Sequence, residues 1–206
     1  MEFDPAALPP NAMYKLLISS VVPRPIAWVS SVDRAGVRNL APFSYFMAIT
    51  DDPPTIAFSS SLRGADPDGK KDTLRNIEDT GEFVVNVVDD DLAAQMNVTS
   101  GEYPPEVDEF EVAALAVAPG TRVGVPRVAS APITLECRLD RLVSVGRATL
   151  VLGRIVYVHV RDGLYDAATG RLDMHRLRPV GRLAGNLYTH VHDIFEMKRP
   201  NADYRG

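Results

Sequence analysis

The chain has 206 residues, 46% hydrophobic and 24% charged, with 22 Lys and Arg against 27 Asp and Glu for a net charge of −5. That length buries on the order of 70% of the unfolded surface, enough for one domain over 1–206 without disulfide or metal staples. The acidic balance, the lack of a basic cluster and the lack of 18 consecutive apolar residues argue against nucleic acid and membrane as partners.

The opening Met1-Glu2-Phe3-Asp4-Pro5 is acidic and proline-broken, unlike a secretory signal, so a cytoplasmic protein is expected. Short β-branched and aromatic runs at 26–32, 55–59, 83–88, 133–145 and 150–160 predict strands. Asp33-Arg34-Ala35-Gly36 reads as a hairpin loop leading to a second strand from Val37. The segment Asn39-Leu40-Ala41-Pro42-Phe43-Ser44-Tyr45-Phe46 places Pro42 among apolar residues, which confines it to an edge or bulge with free backbone groups. Helices are predicted over 72–80, ending at Gly81, and over 89–99, where three aspartates suit the positive end of a helix dipole. Residues 101–132, rich in Pro, Gly and Glu, read as an excursion from the core, with one periodic piece at 111–118. The two longest strands join at Gly146-Arg147-Ala148 as a long hairpin. The tail at 176–206 contains a glycine-bearing close-approach loop at 178–188. Many strands without βαβ alternation predict a mainly β fold, an antiparallel barrel with helical insertions.

No standard catalytic set is written in the chain. It has no G-x-S-x-G elbow, no G-x-G-x-x-G after a strand and no P-loop. His190-Val191-His192 share a strand face, but without a neighbouring carboxylate or cysteine they are assigned no metal. His159 falls on an inward strand face, either as a hydrogen-bonded core histidine or as a ligand contact. Cys137 alternates with Ile133, Leu135 and Leu139 and reads as a small buried hydrophobe. Ser59-Ser60-Ser61 at a strand end and Lys70-Lys71-Asp72-Thr73 at a helix start together suit a phosphate, through hydroxyls, ammonium groups and free backbone N–H groups. Lys70, with Asp66, Asp68 and Asp72 around it, is expected to be solvated.

The motifs Pro23-Arg24-Pro25-Ile26-Ala27-Trp28, Asn39 to Phe46, Asp52-Pro53-Pro54, Lys71-Asp72-Thr73 and Arg182-Leu183-Ala184-Gly185-Asn186-Leu187-Tyr188, in that order, resemble the flavin reductase-like, flavoredoxin-type family of FMN-binding split barrels. The resemblance implies an antiparallel split β-barrel and a homodimer holding FMN. It implies that Asn39, Leu40, Ala41, Pro42, Phe43 and Ser44 hold the flavin edge, and that Ser59, Ser60, Lys71 and Thr73 hold the phosphate. Asp72 is expected to cap the helix, with Arg24 and Gly185 as looser contacts and His159 as a contact to flavin or nicotinamide. The implied activity is flavin reduction by NADH or NADPH, supplying a partner monooxygenase or redox protein. The alternatives are a flavoredoxin-type electron carrier with tightly held FMN and a non-catalytic flavin-binding dimer.

Overall fold

The computed structural model describes residues 1–9, 11–63 and 69–198. In chain order it contains α1 (Ala12–Ser20), β1 (Ala27–Val32), β2 (Arg38–Phe43), β3 (Phe46–Asp51), β4 (Pro54–Ser61), α2 (Asp72–Thr80) and β5 (Glu82–Asn86). There follow α3 (Ala93–Val98), α4 (Glu109–Val112), the short pair β6 (Val117–Ala118) and β7 (Arg127–Val128), and the long strands β8 (Ile133–Val145) and β9 (Ala148–Val160). The chain closes with β10 (Tyr165–Asp166), β11 (Arg171–Leu172), α5 (Met174–Leu177), β12 (Val180–Arg182) and β13 (Tyr188–His190). No helix among the described residues is long and apolar enough to cross a membrane.

Seven strands form one antiparallel sheet in the order β2-β1-β5-β8-β9-β4-β3. Its two edge strands are consecutive in the chain, separated only by Ser44 and Tyr45. A flat sheet of this width would hold its edges about 29 Å apart, at about 4.8 Å per strand. Two linking residues reach only about 10 Å. The sheet therefore curls until its edges approach, and the β3–β4 ladder runs on into the link, with Ser59 N–H donating to the Tyr45 carbonyl at 2.9 Å.

The local signals account for the hairpins. Asp33 Oδ1 accepts from the Ala35 and Val37 N–H groups, both at 2.8 Å, and Gly36 takes φ +91°, closing β1 onto β2 in the predicted loop. Gly146, at φ +55°, turns β8 into β9. The predicted strand at 55–59 extends to Ser61, while α1 and β3 lie where the sequence pattern predicts no element. The residues fated for 89–99 divide into a turn of 3-10 helix at Asp90–Leu92 and α3.

Two large apolar cores result, beside two small clusters at Val84, Val123 and Val125 and at Ile133, Leu164 and Leu177. The inner one joins Val29, Phe43, Phe58, Phe83, Val85, Cys137 and Val151 from the sheet with Leu74 and Ile77 from α2. Phe43 packs on Phe58 and Phe58 on Phe83, with ring centroids 4.8 and 5.6 Å apart. The outer core sets Trp28, Leu40 and Val88 against Met96, Phe110, Val128 and Ala131. Residues 101–132 thus lay Phe110, Val128 and Ala131 across the outer face of β1 and β2. Both faces of β1 are covered, so the neighbours Trp28 and Val29, which point opposite ways, are both fully buried.

Inside the curl, Gly153 of β9 sits under the Phe83 ring. A Cβ at that position would lie 2.2 Å from Phe83 Cζ and 2.8 Å from Cε1, and the fully buried ring has nowhere to go. Gly153→Ala is expected to lower stability by about 1–3 kcal/mol through overpacking. Urea unfolding of the two proteins measures the difference, and an unchanged midpoint would show the ring to be movable.

Candidate functional site

A cleft of about 980 Å³ opens beside the corner where the sheet edges approach, near the upper end of small-molecule pocket volumes. Pro42, Ser44 and Tyr45 supply one wall, at the end of β2 and the link to β3. Arg24 and Ile26 come from the segment before β1, and Lys71 from the start of α2. Tyr14 and Ile18 of α1, Met96 and Asn97 of α3, and Arg182, Gly185, Tyr188 and His190 of the tail complete it.

The side chains at the cleft have clear reasons for their positions. Arg24 Nη1 donates to the carbonyls of Ile18 and Val21 at 2.6 and 3.0 Å, at the negative end of α1, and Nη2 donates to the Leu183 carbonyl at 2.8 Å. Its Nε–H points at Ser44 Oγ at 3.4 Å, which leaves the serine hydroxyl proton free to be donated elsewhere. Arg182 bonds the Gly185 carbonyl and stacks on Tyr188, with its guanidinium carbon 4.3 Å from the ring centroid. Arg24 and Arg182 also exchange backbone hydrogen bonds at 2.9 and 2.8 Å, fastening β12 to the segment before β1.

Lys71 is different. It occupies the N-cap position of the nine-residue α2, whose start has no side-chain cap. Its ammonium stands 5.1 Å over the Phe43 ring and makes no hydrogen bond or ion pair among the described residues. Burial, then the Arg63 guanidinium, push its pKa below the ordinary lysine value. Arg24, Lys71 and Arg182 thus bring three cationic groups to the cleft, and no carboxylate lies among its described lining residues. An acidic protein has built a cationic pocket, which suits an anion at the α2 N-terminus.

Five of the sequence-predicted residues, Arg24, Pro42, Ser44, Lys71 and Gly185, meet at this cleft. The others are placed elsewhere. Asn39 is buried, its Nδ2 donating to Glu109 Oε1 at 2.8 Å and its Oδ1 accepting from Thr73 Oγ1 at 2.6 Å. Leu40 N–H donates to Glu109 Oε2 at 3.0 Å, so the backbone group that the sequence offers to a flavin edge is already taken. Asn39 and Thr73 therefore join β2, α2 and α4 to one another. The Leu40 and Phe43 side chains belong to the two cores, and Ala41 packs against the inner one. Asp72 makes no capping hydrogen bond and instead pairs with Arg63 and Arg75, each at 3.2 Å. Ser59 and Ser60 pair with Leu150 and Thr149 of β9 in the ladder, and the buried Ser60 Oγ has no hydrogen-bond partner. Lys70, expected to be solvated, pairs with Glu78 at 2.8 Å, and Asp66 and Asp68 lie outside the described residues.

The tail departs from the reading of 178–188 as a loop alone. It folds as the β12–β13 hairpin around Leu183 to Leu187, and the close approach occurs at Gly181, where a Cβ would lie 3.0 Å from Pro23 Cβ. Gly185, at φ +56°, has open space around it and is required by its backbone conformation. The three aspartates at 89–91 stand at the start of the 3-10 turn, where the dipole reading puts them, but make no side-chain cap hydrogen bond. Asp89 pairs with Arg161 at 3.1 Å, Asp91 with Arg178 at 3.2 Å, and Asp90 with His190 and His192. Sequence reasoning missed Tyr14, Ile18, Asn97 and Tyr188, since α1 carries no legible cap and the others reach the cleft through tertiary packing.

Comparison with known proteins places the chain in a family. Residues 18–177 match the profile described as the flavin reductase like domain, and the chain belongs to that family. It is 42% identical to an uncharacterized protein of Halalkalibacterium halodurans, over 97% of each chain. Among solved structures it resembles nitrilotriacetate monooxygenase component B from Bacillus cereus, with 36% identity, a TM-score of 0.91, and coverage of 96% of this chain and 98% of that one. It also resembles the 2-nitrobenzoate 2-nitroreductase of Pseudomonas fluorescens, with 31% identity, a TM-score of 0.88, and coverage of 98% and 97%.

His159 stands outside the cleft lining. The β8–β9 register leaves Val156 opposite no residue, between the pairs Glu136↔Tyr157 and Cys137↔Ile155, and this bulge interrupts the alternation that puts His159 inward in the sequence reading. Its Nε2 instead meets the fully buried Glu136 at 2.5 Å, and Glu136 also accepts from the N–H groups of Thr121, Arg122 and Val123 at 2.7, 2.6 and 3.2 Å. Burial opposes ionisation of Glu136, but the hydrogen bond from His159 and those of the three backbone donors outweigh it and hold the carboxyl below its usual pKa. A depressed folded-state pKa stabilises the fold above the unfolded value, about 4.3 for glutamate, and that stabilisation fades as pH falls through the folded value. Glu136→Gln is therefore expected to cost about 1.5–3 kcal/mol at neutral pH, the range for hydrogen bonds to a charged group. Thermal unfolding from pH 7 to pH 3 checks this, with the gap between the two proteins closing on the acid side.

Proposed function

We propose that the chain is an oxidoreductase that binds FMN in this cleft and passes electrons from NADH or NADPH through it, working as a homodimeric split barrel. One observation carries the reading: the Lys71 ammonium, at the start of α2, makes no hydrogen bond or ion pair among the described residues and stands beside Arg24 and Arg182 in a cleft whose described lining has no carboxylate. A phosphate monoester placed there gains a cation, the positive end of the helix dipole and free backbone donors together. The similarity to a monooxygenase component and to a nitroreductase supports oxidoreductase chemistry.

A bound flavin supplies two-electron chemistry directly, so the protein needs no acid or base of its own. The chain's part is to hold and surround. Lys71 balances the phosphate charge, and Ser44, with its proton free, donates to a polar edge. Pro42, which lacks an N–H, leaves its stretch of the β2 rim without a competing donor. Ile18, Ile26 and Met96 exclude water from the reacting face.

Lys71→Ala is expected to weaken FMN binding by about 10- to 100-fold, the range for a charge-assisted hydrogen bond of about 1.5–3 kcal/mol. Riboflavin, which lacks the phosphate, should bind both proteins alike, and the variant should fold as well as the parent. Fluorescence titration with each flavin makes the comparison. Equal FMN affinity in the two proteins would remove the phosphate assignment. Anaerobic NADH and then NADPH, added to the FMN-loaded protein, should bleach its visible absorption. Sustained nucleotide oxidation with excess free FMN distinguishes a flavin reductase from a carrier that keeps its FMN.

A further inference from the structure

We propose that Asp90, His190 and His192 form a binding site for a divalent transition-metal ion, with zinc as the matching ion. The three residues offer one ligand atom each, and these atoms all lie within 4.8 Å of one another. They come together from segments a hundred residues apart: Asp90 follows β5, and the two histidines lie at and just beyond the end of β13. The inference does not rest on the flavin reading: none of its three residues is assigned a contact to FMN, although His190 also lines the cleft.

The geometry is that of a site needing only small adjustment. Asp90 Oδ1 meets His190 Nδ1 at 2.6 Å and Oδ2 meets His192 Nε2 at 2.6 Å, so one carboxylate already orients both rings. The rings stack with centroids 5.2 Å apart and planes 25° from parallel. Zinc takes nitrogen and oxygen ligands at about 2.0–2.2 Å, which sets tetrahedral ligand atoms about 3.3–3.5 Å apart. Reaching that spacing asks the two 2.6 Å contacts to open by under about an ångström and the widest separation, within 4.8 Å, to close by little more than one. The side chains of His190 and His192 are 63% and 53% exposed and free to make it, while that of Asp90, at 13%, is held in place.

The chemistry of the set also fits. Two imidazoles and one carboxylate suit zinc and neighbouring late transition ions rather than calcium or magnesium, which prefer all-oxygen shells. A fourth position open to solvent follows from the exposure of both rings. The nearest competing cation is Arg178, with Nη1 3.9 Å from Asp90 Oδ2, but its Nη2 lies 3.2 Å from both oxygens of Asp91 and its charge is balanced there. Ion binding replaces the imidazole protons shared with Asp90 by one metal centre. It ties β13 to the turn that leads into α3, and so joins two walls of the cleft through His190.

The test is a zinc titration of the metal-free full chain against a chromophoric chelator, without flavin. One zinc per chain is expected for the parent and for His175→Ala, whose histidine lies on α5 outside the cluster. His192→Ala and Asp90→Asn should each bind at least about tenfold more weakly, the smallest loss usual when a metal site is disturbed. Far-UV circular dichroism confirms that the variants are folded, and zinc-edge X-ray absorption on the loaded parent should show nitrogen and oxygen ligands with imidazole scattering. No one-to-one binding by the parent, or undiminished affinity in either folded variant, overturns the proposal. Because the titration omits FMN, its result is independent of Lys71 and the flavin assignment.

Discussion

Everything about this molecule depends on the two residues that join the edges of its sheet. Ser44 and Tyr45 tether β2 to β3, strands at opposite ends of a seven-stranded order, so a flat sheet is geometrically excluded. The curl makes an inside for Phe43, Phe58 and Phe83 and for the apolar side of α2. It leaves an outer face on β1 and β2 that residues 101–132 must cover. It also creates a corner where backbone pairing stops, and the cleft opens there, with Pro42 and Ser44 as its rim. The cleft is thus a consequence of how the sheet is joined.

Buried charges fasten the covering layers to the sheet. Glu136 gathers three N–H groups from 121–123, Glu109 takes Leu40 N–H and Asn39, and Arg24 gathers three carbonyls from α1, the segment after it and the tail. Glu136 and Arg24 are compensated largely by backbone groups, while Glu109, whose pKa burial raises, is met by one backbone N–H and the Asn39 amide. Removing such a charge would leave several buried groups unmet at once. Against this pattern the Lys71 ammonium is the exception. It is partly buried, its pKa is lowered, and among the described residues it makes no hydrogen bond or ion pair, only the Phe43 ring beneath it and the field of Glu102 acting in its favour.

What the sequence made legible was local. Asp33 to Gly36 encodes its own turn because Asp33 bonds residues two and four positions on, and α2 ends at Gly81 because the chain there needs φ +71°. The 133–160 hairpin reads equally well, its two strands joined by two residues. Of the family-like motif residues, Arg24, Pro42, Ser44, Lys71 and Gly185 line the cleft. Side-chain destinations that depend on distant partners stayed hidden. Nothing near Asn39 announces Glu109, 70 positions away. Nothing near His159 announces the bulge at Val156, which shifts the phase of the strand before it. The histidine pair at 190 and 192 was read without its carboxylate for the same reason, since Asp90 is assigned locally to a helix start and structurally to the tail.

The two sides of the cleft are held by different forces. On the sheet side, Pro42 and Ser44 belong to or adjoin a continuous backbone ladder from Ala27↔Phe43 to Val32↔Arg38, whose bonds are largely sheltered from solvent. On the tail side, β12 is bound by backbone bonds to Arg24 and Val88, but β13 is held to the body chiefly through side chains: His190 and His192 on Asp90, and Tyr188 Oη on Asn97 at 3.3 Å. Exposed ionic contacts are weak and are screened by salt, whereas a buried ladder opens only with the fold itself. The outer strand of the tail hairpin is therefore the part of the site that can yield first. It carries Tyr188, on which Arg182 stacks, so movement of β13 and the charge presented to a ligand are coupled through one ring.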